Sequence, residues 1–592
     1  MLMKEKLNWG FIIPTIIGFL LPAIYVLYLI SQAGHLLNFD YWWMIKNIYS
    51  IDGFSTNPFD WMFRANEHFV LIPAIIYALN IVITKGSNIG LCLATFLLAV
   101  VQSVFLIKLL PEKVTGNSRV LRLLIICISL FNFTPAAAHN WMRGYSGVHW
   151  VIANLFVIAS IYCQTKLLQS NPNKWAIASI IFGILGCISY STPLALWPIL
   201  CAASLLMRLP RRIIIAYFTC TILVVGTYFI TYKTPSHHPS LSQVNLVDTL
   251  AYIPVYLGAI FSHNIPVALI IGTFGLILAA VFHLYWLLSK PLNNIDWLPW
   301  LSIIIYSFGT ALMAAISRSG FGIEQAIASR YATLPALFWL SLIVLTIFRI
   351  NQTQISSISK GKISETRFFK KTGFLDRLFR KKQYFLIPVV AVVTVLTILT
   401  YGVGGKTAEA IALRATYQPL VALSVQLNIA DPLLIQEKVG NRPEAFISLL
   451  DALKAHNLVP FHKNIKNDNF CVPLGIKIDS NLLTNEPQEN VPGYFDPITQ
   501  YTPATARVKG WVGESDKIKC IAILNQDRIV RGFGMSGFPR PDVAEIMGSE
   551  FESSGWKGYI EASPDDVLAA YVSLKNRPGW VVLRDKRSLI NN

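Results

Sequence analysis

Phe39-Asp40-Tyr41-Trp42-Trp43 and Arg64-Ala65-Asn66-Glu67-His68 lie in the polar segment 32–87, which separates the first long apolar run from the next. Only eleven of the 32 Asp and Glu residues fall in the first 402 positions. Four of those eleven lie in this segment, namely Asp40, Asp52, Asp60 and Glu67. Carboxylates beside a bilayer are costly and are retained where they serve a function. The segment is therefore the first place to look for a site.

The composition is that of a polytopic membrane protein. The 592 residues are 54% hydrophobic and 14% charged, and the mean hydropathy is +0.51. Apolar length is the main signal for a spanning helix. It predicts eleven spans, at about 10–31, 88–110, 119–135, 150–168, 174–190, 192–207, 211–231, 264–288, 297–317, 331–349 and 384–402.

The positive charge is concentrated in the apolar part of the chain. Of the 50 Lys and Arg residues, 29 lie in positions 1–402, whereas the rest of the chain carries equal numbers of acidic and basic residues. Basic residues between apolar helices are typical of cytoplasmic loops. They do not indicate a nucleic-acid partner, because they form no stripe on a soluble domain.

Charge asymmetry also predicts the topology. The segment 350–383 is rich in Lys and Arg and is expected to be a cytoplasmic loop. Counting back from it places the N-terminus inside only if the short apolar run 69–84 does not cross the membrane, so we expect a juxtamembrane or half-inserted helix there. The outer face then receives 32–87, 136–149, 232–263, 318–330 and everything after 402. The first helix lacks a cleavage site and is expected to be retained.

Three regions follow from this pattern: a transmembrane domain at 1–402, a helical connector at 403–458 and an extracytoplasmic α+β domain at 459–592. In the last region, short alternating runs separated by turn residues favour an antiparallel β-sandwich. The predicted strands are 506–512, 518–524, 529–533, 558–562, 568–574 and 580–583. Cys471 and Cys520 lie here and are able to pair if the domain is extracytoplasmic.

The chain has an early acid in a long first outer loop, many further spans and then a soluble outer domain. In this layout, residues 1–402 resemble the GT-C superfamily of glycosyltransferases. The segments Asn66-Glu67-His68, Arg318-Ser319-Gly320-Phe321-Gly322 and Ser329-Arg330-Tyr331 resemble motifs of uncharacterised bacterial membrane proteins of that build. The resemblance implies an inverting enzyme of the bacterial inner (plasma) membrane. Such an enzyme moves a sugar from a polyprenyl-phosphate donor to a glycan or lipid acceptor of the cell envelope.

The resemblance also implies a catalytic base in the first outer loop. Asp40, just outside the first helix, is the first candidate; the alternative is an interfacial acid or a partner of Lys46. Glu67 is a second candidate acid, and His68 beside it is a candidate substrate ligand. Both sit where the chain re-enters apolar surroundings, so capping of the helix at 69–84 is the competing interpretation.

Candidate substrate-binding residues lie in two other outer loops. Arg318, Arg330 and Tyr331 flank a short loop, and a guanidinium there suits contact with phosphate or anchoring to headgroups. His139 and Arg143 occupy the second outer loop, where many GT-C enzymes carry another acid and this chain has none. This departure from the family pattern leaves metal dependence open, so a divalent metal stays a candidate cofactor with no ligands assigned.

Two other classes of function compete with the enzyme. A transporter or flippase of lipid-linked glycans is expected to carry charged or helix-breaking residues at mid-membrane in matched halves, and no such pattern is seen. A membrane scaffold that presents the C-terminal domain is the third class. Phosphate-cradling glycine loops and nucleophile motifs of soluble enzymes are absent from the sequence.

The predicted topology is testable with reporter fusions. Alkaline phosphatase, which folds only outside the cytoplasm, is expected to be active when fused after residue 592 and inactive when fused within 360–383. A fluorescent protein that matures in the cytoplasm serves as the reciprocal control at the same two points. Phosphatase activity within 360–383 would invert the assignment of the two faces.

Overall fold

The computed structural model describes residues 9–111, 117–168, 171–235, 238, 245–289, 291–359, 386–440, 443–462, 472–484, 486–488, 491–513, 515–575 and 578–588. Most of the predicted basic loop, together with Cys471, lies outside these ranges. The chain forms two compact units. The first comprises 1–34, 56–82 and 88–412, and the second comprises 35–55, 83–87 and 413–592. Part of the first outer loop, including Asp40, thus belongs to the C-terminal unit rather than to the predicted domain 1–402.

The first unit is helical. The helices between residues 9 and 415 are, in chain order, α1 (Trp9–Ser31), α2 (Asp40–Ile45), α3 (Leu71–Thr84), α4 (Asn88–Lys108), α5 (Ser118–Asn132), α6 (Ala138–Met142), α7 (Gly144–Lys166), α8 (Pro172–Cys187), α9 (Leu196–Leu206), α10 (Arg211–Ile230), α11 (Leu246–Gly258), α12 (Ile265–Leu288), α13 (Leu298–Arg318), α14 (Thr333–Ser359) and α15 (Leu386–Ala415). All of them except α2 belong, wholly or for most of their length, to the first unit.

Within the described ranges, nine helices are long and apolar enough to cross a membrane. This is compatible with a multi-pass membrane protein. The predicted spans 174–190 and 192–207 correspond mainly to α8 and α9, which have 16 and 11 residues. At a rise of about 1.5 Å per residue both are shorter than a hydrocarbon core of about 30 Å. The run 69–84 forms α3, whose 14 residues are also too few to span it, so the count of eleven crossings stays a prediction.

Burial divides these helices into central and peripheral ones. Most of α7 and α14 is buried inside the unit, whereas α10 and α12 are largely exposed. Their exposed side chains are large and apolar, for example Ile222 and Leu223 on α10 and Ile270 and Phe274 on α12. Soluble monomers rarely expose apolar surface on this scale. Such a surface is compatible with surrounding lipid, which is as apolar as these side chains.

Small residues allow the central helices to pack closely. A Cβ atom on Gly144 would lie 2.3 Å from Cβ of Leu91, and one on Gly147 would lie 2.1 Å from the carbonyl oxygen of Asn140. Only glycine fits at either position without moving α4 or the backbone that precedes α7. Close backbone approach through small residues is a common mode of helix association in membranes.

The second unit contains a closed β-barrel. Four two-residue strands precede it in the chain and form two hairpins, β1 (Tyr49–Ser50) with β2 (Gly53–Phe54) and β3 (Arg64–Ala65) with β4 (His68–Phe69). The strands of the barrel sheet are β5 (Gly493–Phe495), β6 (Thr499–Thr502), β7 (Thr505–Val512), β8 (Ile518–Leu524), β9 (Val530–Phe538), β10 (Gly555–Glu561), β11 (Val567–Leu574) and β12 (Val581–Ser588). The order is β10-β9-β8-β11-β12-β5-β7, and β10 also pairs with β7, which closes a ring of seven strands. β6 pairs with the first residues of β7 and is not part of the ring. All pairings are antiparallel except that of β12 with β5.

The six predicted strands are confirmed as β7 to β12, but the predicted sandwich is wrong. β10 pairs along its whole length with β7, from Gly555–Trp511 to Glu561–Thr505. It also pairs with β9, so it has no free edge. Closure removes sheet edges, which a sandwich must protect in other ways.

The strand β8 is buried on both faces for a structural reason. Ile521 and Ile523 point into the apolar interior of the barrel. Cys520 and Ala522 point to the opposite face, where they pack with Leu423 of helix α16 (Gln418–Gln426). This double burial explains why β8 reads as a nearly continuous apolar run rather than an alternating one.

One cysteine of the second unit is oxidised. Cys520 is disulfide-bonded. Six cysteines of the first unit are free thiols: Cys92, Cys127, Cys163, Cys187, Cys201 and Cys220. Disulfides persist in oxidising compartments and are rare in the cytosol.

A buried acid ties the helical connector to the barrel. The connector forms α16, α17 (Pro432–Lys438), α18 (Pro443–Ile447) and α19 (Leu450–Ala455). Asp431 is fully buried and caps α17 through the N–H groups of Leu433 and Leu434. Its carboxylate also accepts two hydrogen bonds of 2.6 Å from Arg507 on β7 and one of 2.6 Å from Tyr559 on β10.

Burial alone would raise the pKa of Asp431, but the hydrogen bonds from Arg507 and Tyr559 outweigh it and lower the pKa below its usual value. A group whose folded-state pKa is lowered stabilises the fold above its unfolded-state pKa. That contribution is lost as the pH falls through the folded-state pKa. Asp431 therefore stabilises the second unit at neutral pH and stops doing so in acid.

Replacing Asp431 with alanine is expected to destabilise the barrel by about 3 kcal/mol at pH 7, because Arg507 and two helical N–H groups lose their acceptor. Hydrogen exchange of barrel amides in the full-length protein measures the loss. The matched control is Asp542→Ala, which removes an exposed partner of Arg540 and is expected to cost less than about 1 kcal/mol. Equal hydrogen-exchange protection of the barrel in the two variants would contradict this role of Asp431. A destabilisation by D431A that does not shrink as the pH is lowered would also contradict it.

Candidate functional site

A two-residue hairpin presents Glu67. Strands β3 (Arg64–Ala65) and β4 (His68–Phe69) pair antiparallel, with Ala65 opposite His68, which leaves Asn66 and Glu67 as the turn. Asn66 has φ +54°, a left-handed conformation that asparagine tolerates better than most residues. Asparagine thus permits the turn, and the turn places the titratable side chains of Glu67 and His68 next to each other.

The backbone of Glu67 is held from two sides. Its carbonyl oxygen accepts a hydrogen bond of 2.9 Å from the Tyr228 hydroxyl and one of 3.3 Å from Arg64. The Arg64 guanidinium lies 4.1 Å from the ring centre of Phe69 and 4.9 Å from that of Tyr228. Both rings stabilise the cation through their faces. The turn is therefore fixed in position before any side-chain contact of Glu67 is considered.

The Glu67 side chain is buried and forms an ion pair with Arg318. Residue Glu67 is only 6% exposed. Its Oε1 accepts a hydrogen bond from Nη2 of Arg318, the last residue of α13. The other oxygen, Oε2, has no hydrogen-bond partner among the residues that the structure describes. A buried carboxylate with one oxygen held and the other open is arranged to accept a further proton donor.

His238 completes this contact. Nη1 of Arg318 lies 2.6 Å from Nε2 of His238. Arginine is always a donor, so this nitrogen accepts and carries no proton. His238 Nε2 is 3.8 Å from Oε2 of Glu67, too far for a hydrogen bond. His238 therefore orients Arg318 and leaves Oε2 open.

His68 is fixed as a neutral ring. Its Nδ1 lies 2.5 Å from Oγ of Ser191, its ring stacks on Tyr190 with centres 3.8 Å apart, and its Nε2 lies 3.4 Å from Oε1 of Glu67. Burial lowers the pKa of His68 well below its usual value, and the positive charge of Arg318 lowers it further. His68 therefore adds no charge at neutral pH and acts as a hydrogen-bonding group.

A second cluster joins two other predicted loops. His139 accepts a hydrogen bond of 2.6 Å from Arg143, and its backbone N–H donates to the Ser329 hydroxyl at 3.2 Å. The Asn140 side chain donates to the carbonyl oxygen of Arg330 at 2.8 Å. The structure thus brings the predicted residues His139, Arg143 and Arg330 together. The sequence indicated only that their two loops lie on the same face.

Aromatic rings connect the two clusters. The ring centre of Trp150 lies 4.8 Å from that of Tyr190, which stacks on His68, and 5.4 Å from that of Tyr331. Tyr331 in turn lies beside Arg330, whose guanidinium carbon is 5.0 Å from its ring centre. The two clusters are therefore linked by a chain of ring contacts that runs from His68 to Arg330.

Asp40, the first candidate base, is grouped apart from Glu67, which belongs to the first compact unit. Asp40 belongs to the second unit, where it is exposed and begins α2. The preceding residue, Phe39, has φ +55° and donates its N–H to the carbonyl oxygen of Val439 at 2.7 Å. A left-handed phenylalanine is strained, and this contact holds it in place.

The described residues contain no group of three His, Cys, Asp or Glu side chains suited to a metal ion. In the two clusters the one acid is Glu67, and it is already paired with Arg318. The positive charge comes from Arg64, Arg143, Arg318 and Arg330. An anionic ligand suits this balance of charge.

Several residues of the site had no signal in the sequence. Tyr190 and Ser191, at the start of a short helix, read as part of an apolar span, and Tyr228 reads as the end of another. Each reaches Glu67 or His68 across more than 120 residues of chain. His238 carried a weak signal as half of a histidine pair.

Comparison with known protein families, with curated proteins and with solved structures finds no significant match to this chain.

The ion pair predicts strong coupling between its two partners. Arg318→Gln is expected to destabilise the first unit, because it leaves a buried carboxylate unpaired. Adding Glu67→Gln should recover part of the loss, which corresponds to a coupling energy of about 1–3 kcal/mol. Thermal unfolding of the four proteins in detergent measures this cycle.

The control cycle combines Arg64→Gln with Glu67→Gln. Arg64 contacts the backbone carbonyl of Glu67 and not its carboxylate, so these two effects should add. Simple additivity in the Arg318 cycle would show that the ion pair does not form.

Proposed function

We propose that the chain is an inverting glycosyltransferase of the bacterial inner (plasma) membrane. It moves a sugar from a polyprenyl-phosphate carrier to a glycan or lipid acceptor of the cell envelope on the outer face. The observation that carries the proposal is the buried Glu67 carboxylate, which has Oε1 held by Arg318 and Oε2 open. The resemblance of residues 1–402 to the GT-C superfamily agrees with it.

A membrane location is supported by two features. Nine described helices are long enough to span a bilayer, and α10 and α12 expose large apolar side chains. A hydrocarbon solvent removes the cost of that exposure.

An outward orientation of the C-terminal unit is supported by the disulfide at Cys520. Disulfides persist outside the cytoplasm. The basic segment 350–383 is expected on the opposite side, because positive loops remain cytoplasmic. Both features support a topology with the N-terminus inside and the C-terminus outside, in which segment 32–87 lies on the outer face.

In the proposed reaction, Oε2 of Glu67 accepts the proton of an acceptor hydroxyl. The hydroxyl oxygen attacks the anomeric carbon on the face opposite the phosphate and forms the new glycosidic bond. The bond between the anomeric carbon and the phosphate oxygen breaks, and its electron pair leaves with polyprenyl phosphate. The configuration inverts in this single displacement, and the proton ends on Glu67.

The surroundings of Glu67 suit this role. Arg318 holds Oε1 in an ion pair, which leaves Oε2 for the acceptor hydroxyl. The neutral His68 and the clamped hairpin fix the direction in which Oε2 points. A positioned base of this kind contributes about 10²- to 10⁴-fold to a rate.

The test uses the full-length protein in proteoliposomes. Polyprenyl phosphates carrying single hexoses or pentoses are supplied with an extract of envelope lipids and glycans, and release of polyprenyl phosphate is followed by mass spectrometry. Glu67→Gln is expected to lower release by about 10²-fold or more, because the amide accepts no proton. Asp40→Asn is measured beside it.

Glu324→Gln is the matched control, since Glu324 is an exposed acid in the loop that follows Arg318. It should retain wild-type release. Full activity of E67Q together with loss in D40N would move the base to Asp40. If the wild type releases no polyprenyl phosphate but carries lipid-linked glycan across the bilayer, the protein is a transporter and the proposed enzyme is wrong.

A further inference from the structure

Arg330 carries a charge that the described protein does not neutralise. Its Nη2 donates to the amide oxygen of Gln325 at 3.1 Å and to the Tyr331 hydroxyl at 3.3 Å, both of them neutral groups. Within the described ranges no carboxylate pairs with it. Arg318, by contrast, is paired with Glu67. A partly buried cation without a counter-charge is costly and is commonly compensated by a bound anion.

Two unpartnered hydroxyl groups lie close to Tyr331, the neighbour of Arg330 in the chain. Tyr252 and Tyr256, one turn apart on α11, are both fully buried, and neither hydroxyl has a hydrogen-bond partner among the described residues. The ring centre of Tyr256 lies 5.3 Å from that of Tyr331 and 6.4 Å from that of Tyr252. Leaving a buried hydroxyl unpaired is costly, and a ligand that accepts its hydrogen bond would recover that cost.

The group is also fixed in place. Asn140 holds the backbone of Arg330, and Gln325 holds one of its guanidinium nitrogens. Trp150 packs edge-on against Tyr331. A donor set that is rigid before the ligand arrives loses little entropy on binding.

We propose that Arg330, Tyr252, Tyr256 and Tyr331 form a binding site for a phosphate oxyanion. The guanidinium supplies charge and the phenols supply O–H donors, whereas a sugar hydroxyl would leave the Arg330 charge uncompensated. The identification of this anion as the phosphate of the carrier lipid rests on the proposed function. Arg318 is then not the phosphate ligand, because Glu67 already occupies it.

This placement gives the site a role in the reaction. The carrier phosphate is a diester before transfer and a monoester afterwards, so it gains negative charge as the bond to the sugar breaks. Donors aimed at that developing charge lower the barrier. Tyr252 and Tyr256 would be specificity-determining residues for the leaving phosphate, and sequence patterns assign them to an apolar helix face.

Binding without turnover tests the inference. Binding of inorganic phosphate, of polyprenyl phosphate and of phosphatidylglycerol to the full-length protein in nanodiscs of neutral lipid is measured by thermophoresis. Arg330→Gln and the double variant Tyr252→Phe/Tyr256→Phe are each expected to weaken binding about tenfold or more, because hydrogen bonds to a charged group are lost. The phenylalanine variants should fold normally, since the hydroxyls they remove have no partner.

Tyr217→Phe is the matched control, because Tyr217 is also fully buried with an unpartnered hydroxyl but lies on α10. The probe whose binding depends on Arg330 identifies the source of the phosphate as carrier, bulk lipid or free anion. Binding of every probe that is unchanged in R330Q, or equal in Y217F and in the Tyr252/Tyr256 variant, would overturn the site. Arg330-dependent binding of polyprenyl phosphate to a wild-type protein that releases none from a sugar donor would keep the site and overturn only the proposed reaction.

Discussion

The ion pair between Glu67 and Arg318 is the constraint on which the rest of the site depends. A carboxylate that is only 6% exposed needs a cation beside it, and the cation comes from the end of α13, 251 residues later. The hairpin β3–β4 and the end of α10 must therefore meet the end of α13. Removing either charge would leave the other buried and unpaired, which is among the largest single costs in protein stability.

The proposed chemistry divides the positive charge between two tasks. Arg318 pairs with Glu67 and holds its Oε1, while Arg330, which no described acid neutralises, remains for the ligand. The rings of Tyr190, Trp150 and Tyr331 link the two groups through successive contacts, so the proposed acceptor and phosphate positions are held by one connected set of side chains. A single arginine is unable to perform both tasks, because pairing with Glu67 uses the charge that a phosphate requires.

Much of this could be predicted from the sequence, for physical reasons. Long apolar runs indicate candidate spans, alternation indicates the strands β7 to β12, and acids are rare enough in the first 402 residues to single out Glu67. Closure of the barrel could not be predicted, because pairing of β7 with β10 leaves no local pattern. Tyr252 and Ser191 could not be predicted as site residues either. A neutral residue in an apolar run looks like a packing residue until its neighbours are known.

Asp40 shows the same limit of sequence reasoning. Its segment follows the first helix, yet Leu36 donates its N–H to the Gln418 side chain, 382 residues away, and 35–55 joins the C-terminal unit. Asp40 and Glu67 are therefore close in sequence but belong to different compact units.

The most direct measurement is a cryo-electron microscopy map of the protein in a lipid nanodisc with polyprenyl phosphate bound. The account predicts phosphate density within hydrogen-bonding distance of Arg330 and the Tyr252 and Tyr256 hydroxyls, with Glu67 still paired to Arg318 and its Oε2 facing the ligand. Phosphate density on Arg318, with Glu67 displaced, would contradict it.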